Sequence, residues 1–133
     1  MKVYTAGKMT GLPSFGADEF RKAARVLRER GFEVVSPLEM DEAAGLCVDG
    51  LTGFEDLTDQ GFDIRSTLMA DLEAVLFDVD AVVLLPGWQG SRGALAEYAT
   101  AHAAGVPTWT LTYDGEGIVL AKITALLIVD TDD

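Results

Sequence analysis

Short apolar runs closed by glycine, proline or aspartate alternate along this chain with longer stretches in which apolar residues recur every three or four positions. The first rhythm predicts strands and the second amphipathic helices. Val3-Tyr4-Thr5-Ala6 reads as a strand ending at Gly7, and the following GKMTGLPSFG has the glycine and proline density of a loop. From Ala17 to Arg30 the positions Phe20, Ala23, Ala24, Val26 and Leu27 keep helical spacing, with Gly31 as the stop. Phe32 to Ser36 is a second strand, closed by Pro37.

Residues 38 to 62 mix acids, glycines and scattered apolar positions without a sustained period. They read as an irregular excursion with one short helix, serving either as a lid or subunit contact or as a solvated insertion. Helical spacing resumes from Ile64 to Phe77 through Leu68, Leu72, Val75 and Leu76. A third strand runs from Asp80 to Leu85, a helix from Ser91 to about Ala104 with Gly105 behind it, and a fourth strand from Val106 to Leu111. A last helix is expected around residues 116 to 127.

Strands alternating with helices of this length give right-handed crossovers and a mostly parallel sheet covered on both faces, an α/β fold. Ligands in such folds bind beyond the carboxyl ends of the strands. The loops after Ala6 and after Leu85 should therefore meet at one crevice. That makes Gly7, Lys8, Met9 and Gly11 in the first loop candidate substrate-binding positions, with Trp88, Ser91, Arg92 and Gly93 in the second.

Composition narrows the partners. At 133 residues the chain fits a single domain, residues 1 to 133, able to bury roughly two thirds of its unfolded surface. A formal net charge of −12 repels phosphate backbones and argues against long nucleic acid and anionic membrane surfaces. A small anionic ligand would need local compensation, which Lys8 and Arg92 offer. One cysteine, Cys47, excludes an internal disulfide, and with one histidine, His102, there is no constellation for a soft metal; no metal or other cofactor is expected. No apolar stretch is long enough to span a bilayer, and a cytoplasmic location is expected.

The richest chemistry lies in LPGWQGSRGALAEYA, residues 85 to 99. Ser91 is placed to cap the helix, whose first turn then offers free N–H groups and a positive dipole end to a phosphate or carboxylate. Arg92 adds a fork of donors, or is a surface arginine on an ordinary capped helix. Helical side chains lean toward the N-terminus, so Glu97 looks back over Gly93 and Ala94, across a patch with almost no side chain. Either space has been left above a carboxylate at the mouth of the fold, or Gly93 serves close packing. Asp71, one position before an apparently buried Leu72, projects toward the same crevice from the side or is solvated. Tyr4 reads as a core aromatic or a catalytic one. The Trp88 indole stacks on a planar ring or packs beneath a neighbouring subunit.

VYTAGKMTG, Asp71, and DAVVLLPGWQGSRGALAEYATAHAAGVP together resemble the nucleoside 2-deoxyribosyltransferase-like superfamily, in its small bacterial and phage branch related to 2'-deoxynucleoside 5'-phosphate N-hydrolases. The similarity covers residues 1 to about 111. It implies a flavodoxin-like three-layer sandwich and cleavage or transfer of the N-glycosidic bond of a 2'-deoxynucleoside or its 5'-monophosphate. It implies Glu97 as the nucleophile, Asp71 assisting sugar binding or proton transfer to the base, Tyr4 holding the glutamate, and Ser91 at the 5'-phosphate. It also implies a homodimer or higher homo-oligomer. The excursion at 38 to 62 and the C-terminus have no counterpart in that pattern. The rival reading is a module that binds a small nucleotide in the same crevice, sensing or sequestering it without cleavage.

Overall fold

A computed structural model describes residues 1–115 and 117–123. Among them, five strands form one sheet in the order β2-β1-β3-β4-β5: β1 Lys2–Ala6, β2 Glu33–Val35, β3 Ala81–Leu84, β4 Thr108–Asp114 and β5 Gly117–Ile123. The first four are mutually parallel and β5 runs antiparallel to β4. Four helices accompany them: α1 Ala17–Glu29, α2 Pro37–Ala43, α3 Ile64–Phe77 and α4 Arg92–Ala104. This is the doubly wound, flavodoxin-like three-layer sandwich.

Period-two alternation sorts the sheet residues between the two helical layers. Val3, Ala81, Val83 and Leu85 join one core with Phe15, Phe20, Ala23 and Leu27 on the α1 side. Tyr4, Ala6, Val82 and Leu84 join the other, with Ala74 and Val75 of α3 and Ala94, Tyr98 and Ala101 of α4. Tyr4 thus faces the layer made by α3 and α4, and its register partner on β3 is Val82.

The last helix expected around residues 116 to 127 is replaced, over its described part, by β5; residues 124 to 127 lie outside the described residues. The reason is local. Asp114-Gly115 is a hairpin turn signal, Gly115 takes φ +61°, and Ile118 and Val119 favour a pleated strand. Fully paired from Thr108↔Ile123 to Asp114↔Gly117, β5 draws β4 three residues past its expected end.

The excursion is not a solvated insertion. Leu38, Leu46, Val48 and Leu57 are buried in the α1-side core. Salt bridges from Arg21 to Glu42 and Asp49 and from Arg28 to Glu39 fasten its outside to α1. Its inner edge is hydrogen-bonded to the loop after β1: Gly11 N–H donates to Gly53 C=O at 2.8 Å, Gly50 N–H to Ser14 Oγ at 2.9 Å. Gly53 is the tightest point of this seam. Its φ of +98° excludes most side chains, and a Cβ there would overlap the Leu12 carbonyl oxygen and crowd the Leu12 N–H. Gly53→Ala is therefore expected to destabilise the fold by more than about 2 kcal/mol, read as a lower urea midpoint. An unchanged midpoint would show that the seam carries no stability.

Candidate functional site

Three elements deliver one acid-rich cluster. β1 brings Tyr4, fully buried; α3 brings Asp71, 9% exposed; α4 brings Glu97, 5% exposed. Each position follows from a core-facing stripe. On α4 the buried residues are Ala94, Glu97, Tyr98 and Ala101, spaced i, i+3, i+4, i+7, so Glu97 occupies a place that spacing reserves for apolar side chains. On α3 they are Asp71, Ala74 and Val75, the same spacing with an acid at its head.

Within the cluster the Tyr4 hydroxyl donates to Glu97 Oε2 at 2.7 Å. Asp71 Oδ1 is buried without a hydrogen-bond partner. Such a group costs about 1–3 kcal/mol, or more if charged, unless something outside the folded chain completes it. Burial, above all, pushes the Glu97 carboxyl up to about 8; the Tyr4 hydrogen bond opposes this and the Asp71 charge adds to it. Burial likewise pushes Asp71 up to about 7, helped by Asp41 and opposed by the Tyr4 hydroxyl. Tyr4 itself is held well above the ordinary phenol range by burial and by the two carboxylates. The environment keeps one or more of these acids protonated near neutrality, and two carboxyls so placed do not ionise independently.

Asp71 also lines an open cleft of about 400 Å3 whose opposite wall is the excursion: Met40 and Asp41 of α2 with Ala44, Leu46, Gln60 and Phe62. Asp41, half-buried, is pushed up to about 6 by burial and by Glu42. The sequence reading missed this residue. Its only signal was the Ser36-Pro37 cap and proline start of α2, which sets Asp41 one turn beyond Leu38 on a helix over the strand ends.

The remaining predicted positions divide. Ser91 caps α4 as expected, its Oγ accepting from the Ala94 N–H at 3.1 Å. A methyl group built on Gly93 would meet only Ser91 Oγ, at 3.8 Å, so the patch beside the cap is open. Arg92, first residue of α4, is exposed. Lys8 lies alongside the turn that feeds α4: a methyl group on Gly90 would sit 3.8 Å from Lys8 Nζ. Lys8 thus lies beside the turn that leads into the Ser91 cap, with Arg92 the next residue along the chain. Gly7 and Met9 answer to packing. A Cβ on Gly7 would press to 3.2 Å on Leu85, and Met9 packs against the α1-side core. Gly11, at φ +86°, serves the seam with Gly53. Trp88 opens a 3-10 turn, Trp88–Gly90, and its indole meets Tyr98 edge-on, ring centroids 5.1 Å apart.

Two sequence expectations need correction. Glu97 was expected uncovered at the mouth of the fold; it is buried, because α4 turns its Ala94-Glu97-Tyr98-Ala101 stripe against the sheet and the Tyr4 hydroxyl closes on its Oε2. Leu72 was expected buried with Asp71 at its side; Leu72 is only half-buried while Asp71 is inside. The helix is rotated by about one position from what its leucines suggested, placing Asp71 at the core and in the cleft wall. Among the described residues, no group of three or more His, Cys, Asp or Glu is arranged to hold a metal ion, and no helix is long and apolar enough to cross a membrane.

A family described as a domain of unknown function (DUF4406) matches residues 1–110. The chain belongs to that family. No curated protein matches it. The DUF4406 match contains Tyr4, Asp41, Asp71, Ser91 and Glu97 and ends within β4, so β5 lies beyond it.

Proposed function

We propose that this protein breaks the N-glycosidic bond of a 2'-deoxynucleoside or its 5'-monophosphate, with Glu97 as nucleophile and Asp71 as proton donor. The observation that carries the reading is the meeting of Tyr4, Asp71 and Glu97 from three elements, with a buried, unpartnered oxygen on Asp71, a residue that also lines the cleft. Asp71 and Glu97, buried and with raised, mutually dependent pKa values, share protons near neutrality; burial makes Glu97 the weaker acid of the two, so the reaction needs the ionised form shifted to Glu97 as positive charge grows at C1'.

In the first step a Glu97 carboxylate oxygen bonds to C1' as the C1'–N bond breaks, and the departing base takes the Asp71 proton. In the second, water replaces Glu97 at C1' and returns a proton to Asp71; a second base in place of water gives transfer instead. Positive charge growing at C1' stabilises the ionised form of Glu97, offsetting the burial that favours its acid form in the empty site. Tyr4 orients the attacking carboxylate. Lys8, Arg92 and the α4 cap suit a 5'-phosphate, while the acid-lined cleft on the other side repels one and suits an uncharged base. Glu97 is buried and does not line the cleft, so reaching C1' requires the groups that cover it to move. A cytoplasmic setting belongs to this reading and suits a chain whose single cysteine, Cys47, is free and exposed.

The test is incubation with a panel of deoxynucleosides and deoxynucleoside monophosphates, with and without an acceptor base, followed by chromatography. Free or exchanged base from at least one substrate is expected. Tight binding without base release would replace this reading with that of a nucleotide-binding module.

A further inference from the structure

The cleft that Asp71 lines is chemically one-sided. Its polar side chains differ in what each has left for a ligand. The Gln60 amide is closed on Cys47, its Oε1 accepting from the backbone N–H at 2.9 Å and its Nε2 donating to the carbonyl at 3.1 Å. Asp63 and Ser66 are engaged at the head of α3, where Asp63 Oδ1 accepts from the Arg65 N–H and Oδ2 from the Ser66 hydroxyl. The Thr67 hydroxyl rotates to meet a donor or an acceptor and so selects neither. Two carboxyls remain, Asp41 on α2 and Asp71 on α3, and among the described residues no lysine, arginine or histidine lines the cleft.

Both carboxyls lack partners. Asp71 is 9% exposed and its Oδ1 is buried without a hydrogen bond. Asp41 is half-buried, and among the described residues only its backbone carbonyl is used, accepting from the Ala44 and Leu46 N–H groups, while its carboxyl has neither a hydrogen bond nor an ion pair. Met40, Leu46 and Phe62 add apolar wall beside it. A thioether, a leucine and a phenyl ring flanking carboxyls suit a flat ring whose edge carries hydrogen-bond donors.

The chemistry of a carboxyl says which rings qualify. Ionised, it only accepts; protonated, it donates once and still accepts. An exocyclic amine satisfies both forms. Adenine and cytosine set the amine beside a ring-nitrogen acceptor, matching a protonated carboxyl, and guanine sets it beside a ring N–H, matching an ionised one. Thymine and uracil have no amine, and their one N–H stands between two carbonyl oxygens that meet a carboxylate oxygen with like partial charge.

We propose that Asp41 is a specificity-determining residue, which receives the exocyclic amine of the base at the wall opposite Asp71 and so selects adenine, guanine or cytosine over thymine and uracil. The proposal rests on the reaction proposed above and deepens it by fixing the class of base.

The test is calorimetric titration of the full chain carrying Glu97→Gln, so that binding is read without turnover, with circular dichroism confirming the fold. The ligands are two matched pairs, deoxycytidine with deoxyuridine and deoxyadenosine with deoxyinosine, each also as the 5'-monophosphate. Within a pair, an amine is exchanged for a carbonyl along one edge of the ring. The amine member is expected to bind about ten- to a hundredfold more tightly. Asp41→Asn in the same background keeps the size of the side chain and adds a donor, and should bring each pair to within about threefold. In the wild-type chain the preference should appear in kcat/KM for base release, carried by KM. Equal affinity within the pairs, a preference for the carbonyl member, or binding of none of these ligands overturns the inference. So does an amine preference that survives Asp41→Asn. The two failures are separate: base release without an amine preference sinks only the role of Asp41, and an amine preference without base release sinks only the reaction.

Discussion

Glu97→Gln is expected to lower the rate of base release by about three orders of magnitude or more while leaving the protein folded. Glutamine has the size of glutamate, and its amide oxygen accepts from the Tyr4 hydroxyl as Oε2 does at 2.7 Å. The stripe formed with Ala94, Tyr98 and Ala101 is preserved, and a buried acid is replaced by a neutral group that carries no ionisation cost. What disappears is an electron pair able to bond to C1' and a negative charge able to stabilise an oxocarbenium-like state. The loss should fall on kcat, because an amide retains the ground-state contacts of the site. The measurement is the initial rate of base release for the best substrate of the panel, alongside a thermal melt. A folded Glu97→Gln protein with wild-type turnover would remove Glu97 from the chemistry.

Stability should fall as pH rises from 5 to 8, the reverse of the behaviour of a protein held together by salt-bridged carboxylates. The folded-state pKa values of Asp41, Asp71 and Glu97 are raised to about 6, 7 and 8 from ordinary values of 3.8, 3.8 and 4.5. A group with a raised pKa holds its proton longer in the folded than in the unfolded state. Its stabilisation is complete below the unfolded pKa and is lost as pH climbs through the folded one. At about 1.4 kcal/mol per pKa unit the three acids together amount to several kcal/mol across this window. Glu39, held below its ordinary value chiefly by its hydrogen bond to Arg28, acts in the opposite sense, with stability lost as pH falls below about 4. Greatest stability is therefore expected at about pH 4, between the loss from Glu39 below it and the loss from the three raised acids above it. Urea titrations at pH 5, 6, 7 and 8 test the decline, with Asp71→Asn/Glu97→Gln expected to flatten it. A wild-type curve that is level or rising over that range would show that these carboxyls are not held protonated.

Both expectations turn on two acids in core positions, and these show how far the sequence was legible. The α3 segment was found to its ends, Ile64–Phe77, because a long helical period is a local signal. Its orientation was not. Leu68, Leu72 and Leu76 are the obvious core candidates, yet the sheet receives Asp71, Ala74 and Val75, and the leucine side is left facing outward. A helix with apolar residues on two sides has no unique buried face until its neighbours are in place. The same holds for Glu97, which the sequence left between open space at the mouth and close packing beside Gly93, and which the structure places in a buried stripe with Ala94, Tyr98 and Ala101.

Local chemistry determined the alternation of strands and helices, the Ser91 cap, and the α/β class, because backbone geometry and side-chain period are set within a few residues. The sequence also brought Tyr4, Asp71 and Glu97 forward as candidates. Tertiary structure alone decided that they touch, since β1, α3 and α4 are far apart along the chain and meet only where the sheet's second face is covered. It alone revealed Asp41 across the cleft, whereas β5 follows from the local hairpin signal at Asp114-Gly115. Contacts between distant segments carry no periodic signature; the energy of packing the whole molecule selects among the faces that each segment offers.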